Sequence, residues 1–305
     1  MIPYFQTDIV RRSILQKEAD MADILYGKPV ADALIKRTEE LVAVCRERGV
    51  DPTLAILRVG EKNDDLSYER SAMKRCALSG IATENVVLPV DVTEQEFFET
   101  LQRLNTDASV HGILMFRPLP KHLDSEKARK TLFAQKDVDG CGDLSLAGVF
   151  TNTTLGFVPC TAQAAMEILK YYDIPIAGKR AVVIGRSLVV GRPLAMLLMH
   201  ENATVTICHT GTCDLKSVLQ EADIIVTATG KMESFGKDHF KKGQTVIDVG
   251  IRWSDEKQKL CGDVCFDEVR DLVQAITPVP GGVGSVTTGI LALHVAEAAY
   301  RSISY

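Results

Sequence analysis

The chain has 305 residues, enough for one large or two moderate domains, and two is the better expectation. With 46% hydrophobic and 25% charged residues it is neither disordered nor collagen-like nor a coiled coil. The net charge of -5, from 35 basic and 40 acidic residues, argues against nucleic acid or an anionic membrane as the main partner, and no apolar run approaches the ~20 residues of a membrane span.

Residues 1–20 hold Arg11, Arg12 and Lys17 but no apolar stretch long enough for a secretory signal, so residues 1–21 read as a polar extension. From Gly27 to Gly49, Val30, Ala33, Leu34, Leu41, Val42 and Cys45 recur at helical spacing, and Gly49 follows the basic Arg46 and Arg48. An apolar run over Thr53 to Val59 ends at Gly60. A helical stretch from Asp65 to Ser79 ends at Gly80, and a second run covers Asn85 to Pro89. A helix over Thr93 to Leu104, a strand over Val110 to Phe116, the Pro118-Leu119-Pro120 turn and a short helix from Asp124 continue the alternation, which favours a parallel sheet covered by helices. Lys136 to Thr154 reads as a loop rich in Asp and Gly. A helix from Pro159 to Tyr172 then opens a second βα series: Ala181 to Ile184, helix Arg192 to His200, Thr204 to Cys208, helix Leu215 to Ala222, Ile224 to Ala228 and Thr245 to Val249. The final helix, Thr288 to Ser302, carries Ile290, Leu291, Val295 and Ala298 on one stripe and is free to pack back on the first domain. The expected fold is therefore α/β with two domains and a cleft between them: an N-terminal domain over 22–158, a Rossmann-like dinucleotide-binding domain over 159–286, and a C-terminal helix segment over 287–305.

Eight scattered cysteines with no CxxC point to reduced thiols and a cytoplasmic protein. Cys208-His209 with Cys213, and Cys261 with Cys265, match no standard zinc spacing, so no metal is expected. The strand Ala181 to Ile184 runs into Gly185-Arg186-Ser187-Leu188-Val189-Val190-Gly191 and then a helix. Small residues there let backbone N–H groups and a helix N-terminus approach a pyrophosphate, although the spacing is G-x-S-x-x-x-G rather than G-x-G-x-x-G. The next strand ends at Cys208-His209-Thr210-Gly211-Thr212 with no carboxylate to hold the ribose hydroxyls. Arg186 and Thr210 offer a ribose phosphate its partners, which favours NADP by a narrow margin and leaves NAD open.

Six motifs occur in order: Val59-Gly60-Glu61 leading to Tyr68; Gly112-Ile113-Leu114 with Pro118-Leu119-Pro120; Lys136-Asp137-Val138-Asp139-Gly140; Pro159-Cys160-Thr161; Gly185-Arg186-Ser187; and Thr277-Pro278-Val279-Pro280-Gly281-Gly282-Val283-Gly284. Together, over about residues 22 to 302, they resemble the methylenetetrahydrofolate dehydrogenase/cyclohydrolase family. The resemblance implies a homodimer with folate between its domains and hydride transfer from the methylene bridge of 5,10-methylenetetrahydrofolate to NAD(P). The methenyl charge is shared by two folate nitrogens, so alignment suffices without a strong protein base. The resemblance further makes Tyr68 and Asp139 candidate catalytic residues, Tyr68 lining the folate rings and Asp139 accepting from the pterin amino and ring N–H groups. On their own, Asp137 and Asp139 would read as a solvated acidic turn. It adds Pro280, Gly281 and Gly284 on the substrate side. On the dinucleotide side it gives Gly185, Arg186, Ser187, Gly191, His209, Thr210, Thr229, Gly230 and Ile251.

The chain also departs from the family. Four residues after Tyr68 the family has a Lys essential to the cyclohydrolase step, and this chain has Ala72; the Gln that bonds that Lys is Phe116. A helix puts Ala72 at about 40° and Arg75 at about -20° from Tyr68, while Lys74 points elsewhere. Arg75 can stabilise charge but not act as a base. Arg117 is expected on the other side of its strand from Phe116. Ala162, Ser285 and Gly211 also differ from the family pattern, the last where a basic residue normally stands near the ribose phosphate. The leading expectation is thus a dehydrogenase with weak or absent cyclohydrolase activity. One alternative is a bifunctional enzyme; another, of a different class, is a catalytically silent folate or dinucleotide-binding protein.

Overall fold

The computed structural model describes residues 22–303, so the expected polar extension over 1–21 and the last two residues lie outside the described residues. The order is β1 (Asp23–Ile24), α1 (Gly27–Glu47), β2 (Thr53–Val59), α2 (Asn63–Leu78), β3 (Ala82–Leu88), α3 (Glu94–Thr106), β4 (Gly112–Met115), α4 (Ser125–Thr131), α5 (Asp143–Thr151) and α6 (Cys160–Tyr171). There follow β5 (Arg180–Ile184), α7 (Gly191–His200), β6 (Thr204–Cys208), α8 (Leu215–Gln220), β7 (Ile224–Thr227), β8 (Thr245–Asp248), β9 (Arg252–Ser254), β10 (Lys259–Cys261), α9 (Phe266–Val269), β11 (Ala275–Ile276) and α10 (Val283–Ser302).

Two parallel sheets carry the architecture. The first has the order β3-β2-β4, with Leu54 opposite Thr83 on one side and Gly112 on the other. The central β2 is buried from Leu54 to Val59, as a strand covered on both faces must be. The second runs β1-β11-β8-β7-β5-β6, also parallel throughout. Its edge strand β1 comes from the start of the described chain, which is stitched to the far sheet before it builds the near one. Local chemistry sets the helix ends. Thr93 and Glu96 form a reciprocal capping box on α3, whose Phe97, Leu101 and Leu104 are buried. Asp124 caps α4 by accepting from the Glu126 and Lys127 amides.

The final helix departs from expectation. It begins at Val283 rather than Thr288, and it is buried around its circumference rather than along one stripe. The cause is its position: α10 packs against α1, α2 and α6 at once. Gly289 admits the Leu34 side chain, to which an added Cβ would lie 3.3 Å away. One hydrophobic core consequently runs from Leu54, Ile56 and Leu114 in the first sheet, through Ile290 and Val295 of α10, to Val183 and Val226 in the second. The segment expected to be a loop over Lys136 to Thr154 contains α5. Its anchor is Asp137, whose buried carboxylate accepts from the Cys141 and Gly142 amides and from the Ser145 hydroxyl at 2.9, 2.7 and 2.5 Å. Asp137 is therefore a structural clamp, not a solvated acid. Among the described residues no helix is long and apolar enough to cross a membrane.

Candidate active site

The strand ends of β2 and β4, helix α2 and the turn around Asp139 form one wall of a cleft. On α2, Tyr68 and Arg75 are partly buried, Ala72 is fully buried and Lys74 is exposed, as the helical angles require. The Phe116 ring meets Tyr68 edge to face, with centroids 5.9 Å apart and planes at 86°. No amine stands at position 72, and an aromatic edge occupies the place of its hydrogen-bonding partner. Burial, with the Asp139 charge second, drives the Tyr68 hydroxyl well above its usual range, so it is a neutral donor and never a base near neutral pH.

Asp139 has its carboxyl raised to about 6, chiefly by desolvation; the Arg117 charge opposes the rise, and Asp137 adds to it. Arg117 is therefore close enough to act on Asp139. It follows Phe116 just beyond the β4 ladder, which ends at Met115. Beneath Asp139 lies a buried polar network. The His294 Nδ1 donates to the Val138 carbonyl at 2.8 Å, and the Cys160 thiol donates to the same oxygen at 3.2 Å. Burial holds His294 down to about 4, so its ring is neutral, and its Nε2 lies 2.8 Å from the Gln163 Oε1.

The 277–282 loop and the first turn of α10 close the cleft. The loop backbone passes so near α1 that a Cβ on Gly27 would lie 2.2 Å from the Gly282 carbonyl oxygen, and the Gly27 amide donates to the Gly281 carbonyl at 2.7 Å. Pro280, Gly281 and Gly284 are exposed there. The Arg75 guanidinium donates to the Ser285 carbonyl at 3.4 Å, tying α2 to the first turn of α10. A Cβ on Gly284 would lie 3.7 Å from Ile251 Cδ1, which brings the expected substrate loop against an expected dinucleotide residue.

The opposite wall is the β5–α7 turn. Gly185 has φ +135°, and a Cβ there would lie 2.4 Å from the Ala228 carbonyl oxygen; one on Gly191 would lie 2.1 Å from the Gly185 carbonyl oxygen. The Ser187 hydroxyl accepts from the Val190 amide at 3.1 Å and holds the entry to α7. Arg186 and Ser187 are exposed beside this helix N-terminus, a cradle whose shape and dipole fit a dinucleotide pyrophosphate. β5 and β6 pair through Ile184 and Cys208, so Arg186 shares a sheet edge with Thr210 and Gly211. The His209 amide donates to Thr212 Oγ1 at 2.9 Å, and the His209 Nδ1 accepts from the Gly211 amide at 3.0 Å, which fixes that tip. Thr229 and Gly230 follow β7, and the exposed Ile251 follows β8.

Two carboxylates escaped the sequence reading. Asp263 Oδ2 accepts from the Thr229 amide and hydroxyl at 2.6 and 2.9 Å and from the Gly230 amide at 3.3 Å. Asp248 Oδ1 accepts from the Thr227 hydroxyl and the Gly250 and Asp263 amides, and Oδ2 from the Val264 amide. Burial lifts Asp248 to about 6 against those hydrogen bonds. Both hold the loops that present Thr229, Gly230 and Ile251. Nothing in their spacing marks them, because their partners are backbone amides and threonine hydroxyls brought near by the fold.

The family described as tetrahydrofolate dehydrogenase/cyclohydrolase matches twice, its catalytic domain over residues 25–139 and its NAD(P)-binding domain over 159–303. A protein of Alkaliphilus oremlandii named "Bifunctional protein FolD" is 49% identical over 278 residues, 91% of this chain and 97% of that protein. The crystal structure of a bifunctional FolD methylenetetrahydrofolate dehydrogenase/cyclohydrolase from Campylobacter jejuni superposes with a TM-score of 0.89 at 35% identity, covering 92% of this chain and 99% of that one. The Trypanosoma brucei dehydrogenase-cyclohydrolase, complexed with NADP and an inhibitor, gives 0.87 at 35% identity over 93% and 99%.

Proposed function

The chain belongs to the tetrahydrofolate dehydrogenase/cyclohydrolase family, and from that premise we propose how its own residues carry the reaction. It is an NAD(P)-dependent methylenetetrahydrofolate dehydrogenase. The observation that supports the residue assignment is the approach of the Gly284 backbone to Ile251, whose Cδ1 would lie 3.7 Å from a Cβ added at Gly284. The bound nicotinamide supplies the hydride acceptor. Asp139, ionised above its pKa of about 6, accepts from the pterin amino and ring N–H groups and fixes the ring plane. Tyr68, held protonated, lines the ring system as a neutral wall that neither takes a proton nor repels the cationic product. Pro280, Gly281 and Gly284 close over the substrate. Gly185, Gly191 and Ser187 receive the pyrophosphate, and Arg186 with Thr210 the ribose phosphate, giving NADP the narrow preference over NAD. His209, Thr229, Gly230 and Ile251 complete the dinucleotide wall. Residues 22–158 act as the folate domain and 159–286 as the dinucleotide domain, with the 287–305 segment packed back on the first. The assembly is a homodimer, in a cytoplasmic setting that suits eight free thiols.

The second activity separates two readings. The named relatives are bifunctional, which backs a bifunctional reading of this chain better than the monofunctional expectation. What supports weak hydrolysis is local: Ala72 cannot manage a proton, and such management contributes roughly 10²- to 10⁴-fold. Nicotinamide reduction by methylenetetrahydrofolate, run with NAD and with NADP, tests the dehydrogenase; a protein that binds both ligands without turnover would be the silent binder. Methenyl absorbance in the same cuvette tests the hydrolysis. Decay little faster than buffer supports the monofunctional reading, and brisk enzyme-dependent decay supports the bifunctional one. In the monofunctional case Ala72→Lys with Phe116→Gln should exceed the product of the single effects, because the amine needs its orienting partner.

A further inference from the structure

The cations of the N-terminal domain mostly have protein partners. Arg58 pairs with Glu69, Arg129 with Glu126 and Asp143, Arg75 reaches the Ser285 carbonyl, Lys136 the Leu104 and Asp107 carbonyls, and Lys62 the Pro118 carbonyl. Arg117 differs. It is partly buried, immediately after the Phe116 that packs on Tyr68, and its Nε is buried with no hydrogen-bond partner; the Arg129 Nε shares that state, but the Arg129 guanidinium closes two ion pairs. It belongs to none of the ion pairs among the described residues. A buried guanidinium N–H without an acceptor is disfavoured, and native proteins keep such a group where something else fills the place. Its charge nevertheless reaches Asp139 and Cys141. The two segments are neighbours in the fold, the Ile113 amide of β4 donating to the Lys136 carbonyl at 2.8 Å, so a guanidinium with an unmet N–H and a desolvated carboxylate belong to one wall without closing into an ion pair.

Such a pair suits a flat heterocycle whose edge offers N–H donors beside a carbonyl. We propose that Arg117 is a substrate-recognition residue of this cleft, donating to the pterin ring carbonyl while Asp139 accepts from the neighbouring amino and ring N–H groups. This rests on the folate reading given above. The guanidinium has a second effect. The groups that act on Asp139 are Arg117, Asp137 and Cys160, with Tyr68 and Cys141 also within electrostatic reach, and Arg117 is the one cation among them. It therefore favours the ionised carboxylate that binding requires.

The test compares Arg117→Leu and Arg117→Lys with the wild type, measuring tetrahydrofolate and dinucleotide binding by calorimetry across pH and thermal unfolding in parallel. Arg117→Leu should weaken tetrahydrofolate about 10- to 100-fold, the loss of one charge-assisted hydrogen bond, and leave dinucleotide affinity unchanged. It should also move the acid limb of tetrahydrofolate binding to higher pH, which a merely structural role would not do. Arg117→Lys, which keeps the charge without the planar fork, should fall between and keep the limb nearer its wild-type position. If Arg117→Leu fails to fold, Arg117→Lys decides, and unchanged affinity there overturns the proposal. Wild-type affinity and an unmoved acid limb in Arg117→Leu overturn it as well. A wild type that binds no tetrahydrofolate defeats the folate reading itself, so the two failures are distinct.

Discussion

On the dinucleotide wall the decisive residues act by lacking side chains: Gly185 at φ +135° and Gly191 against the Gly185 carbonyl leave space that any Cβ would fill. On the folate wall, side chains from α2, the end of β4 and the Asp139 turn converge, each adjusted by its neighbours' charge and burial. A backbone cradle tolerates few substitutions and looks alike wherever it occurs. A side-chain wall can be rebuilt member by member, as Ala72 and Phe116 show here, while the fold beneath it stays the same. The two walls should therefore answer mutation differently.

The largest effect belongs to the cradle. Gly191→Ala puts a methyl group 2.1 Å from a carbonyl oxygen, so the turn must move. Overpacking of this kind costs about 1–3 kcal/mol, and at the upper end dinucleotide affinity should fall about 100-fold. Tetrahydrofolate affinity should stay within about twofold if the walls are as separate as their construction suggests. Calorimetry with each ligand checks this; equal losses on both sides would mean that the walls fold as one unit.

Asp139→Asn should reverse the pattern, weakening tetrahydrofolate about 10- to 100-fold with the dinucleotide little changed. It should also separate binding from stability. The folded carboxyl sits at about 6, above its usual 3.8, so between those values the folded state holds more protons than the unfolded one and stability falls as pH rises. At pH 7 the ionised Asp139 therefore destabilises the free protein. Asp139→Asn should be more stable there by about 1–2 kcal/mol, with the gap closing as pH drops below the folded pKa towards 4. His294, held down to about 4, and Asp248, raised to about 6, titrate alike in both proteins and cancel from the difference. Denaturant midpoints across that range measure it; a gap that widens on acidification would contradict the assigned shift.

The same contrast explains what could be read from sequence. The strands β2 and β6 stand where their apolar runs put them, Thr53–Val59 and Thr204–Cys208, because periodicity and a closing glycine or turn are local signals. The two-residue strands β1 and β11 are too short for any period and exist only because the sheet edge accepts them. Helix α5 was hidden because its N-cap, Gly142, has no side chain, and the anchoring carboxylate is Asp137, outside the helix. The glycine cradle was visible as a pattern, and so was the Tyr68, Ala72 and Arg75 face. Asp248 and Asp263 left no trace because their partners are backbone amides and threonine hydroxyls that only the fold brings near.

Gly211→Arg should give the smallest effect, and it tests whether the backbone wall can gain a side-chain contact. Gly211 lies exposed on the tip after β6, on the same sheet edge as Arg186 and Thr210. A Cβ there would lie 3.2 Å from His209 Cε1, so the ring must give slightly, but nothing rigid opposes the longer chain. A new guanidinium facing a ribose phosphate is charge-assisted, yet this surface is open to water and salt, which limits the gain to about 0.3–1 kcal/mol. The NADP-to-NAD ratio of kcat/KM should accordingly rise about two- to fivefold at low ionic strength and shrink as salt is added. An equal gain for both cofactors would place the new charge near the pyrophosphate instead. A wild-type enzyme at least about tenfold more efficient with NAD would reverse the proposed preference, because the missing carboxylate, Arg186 and Thr210 would then have failed together to favour the phosphate.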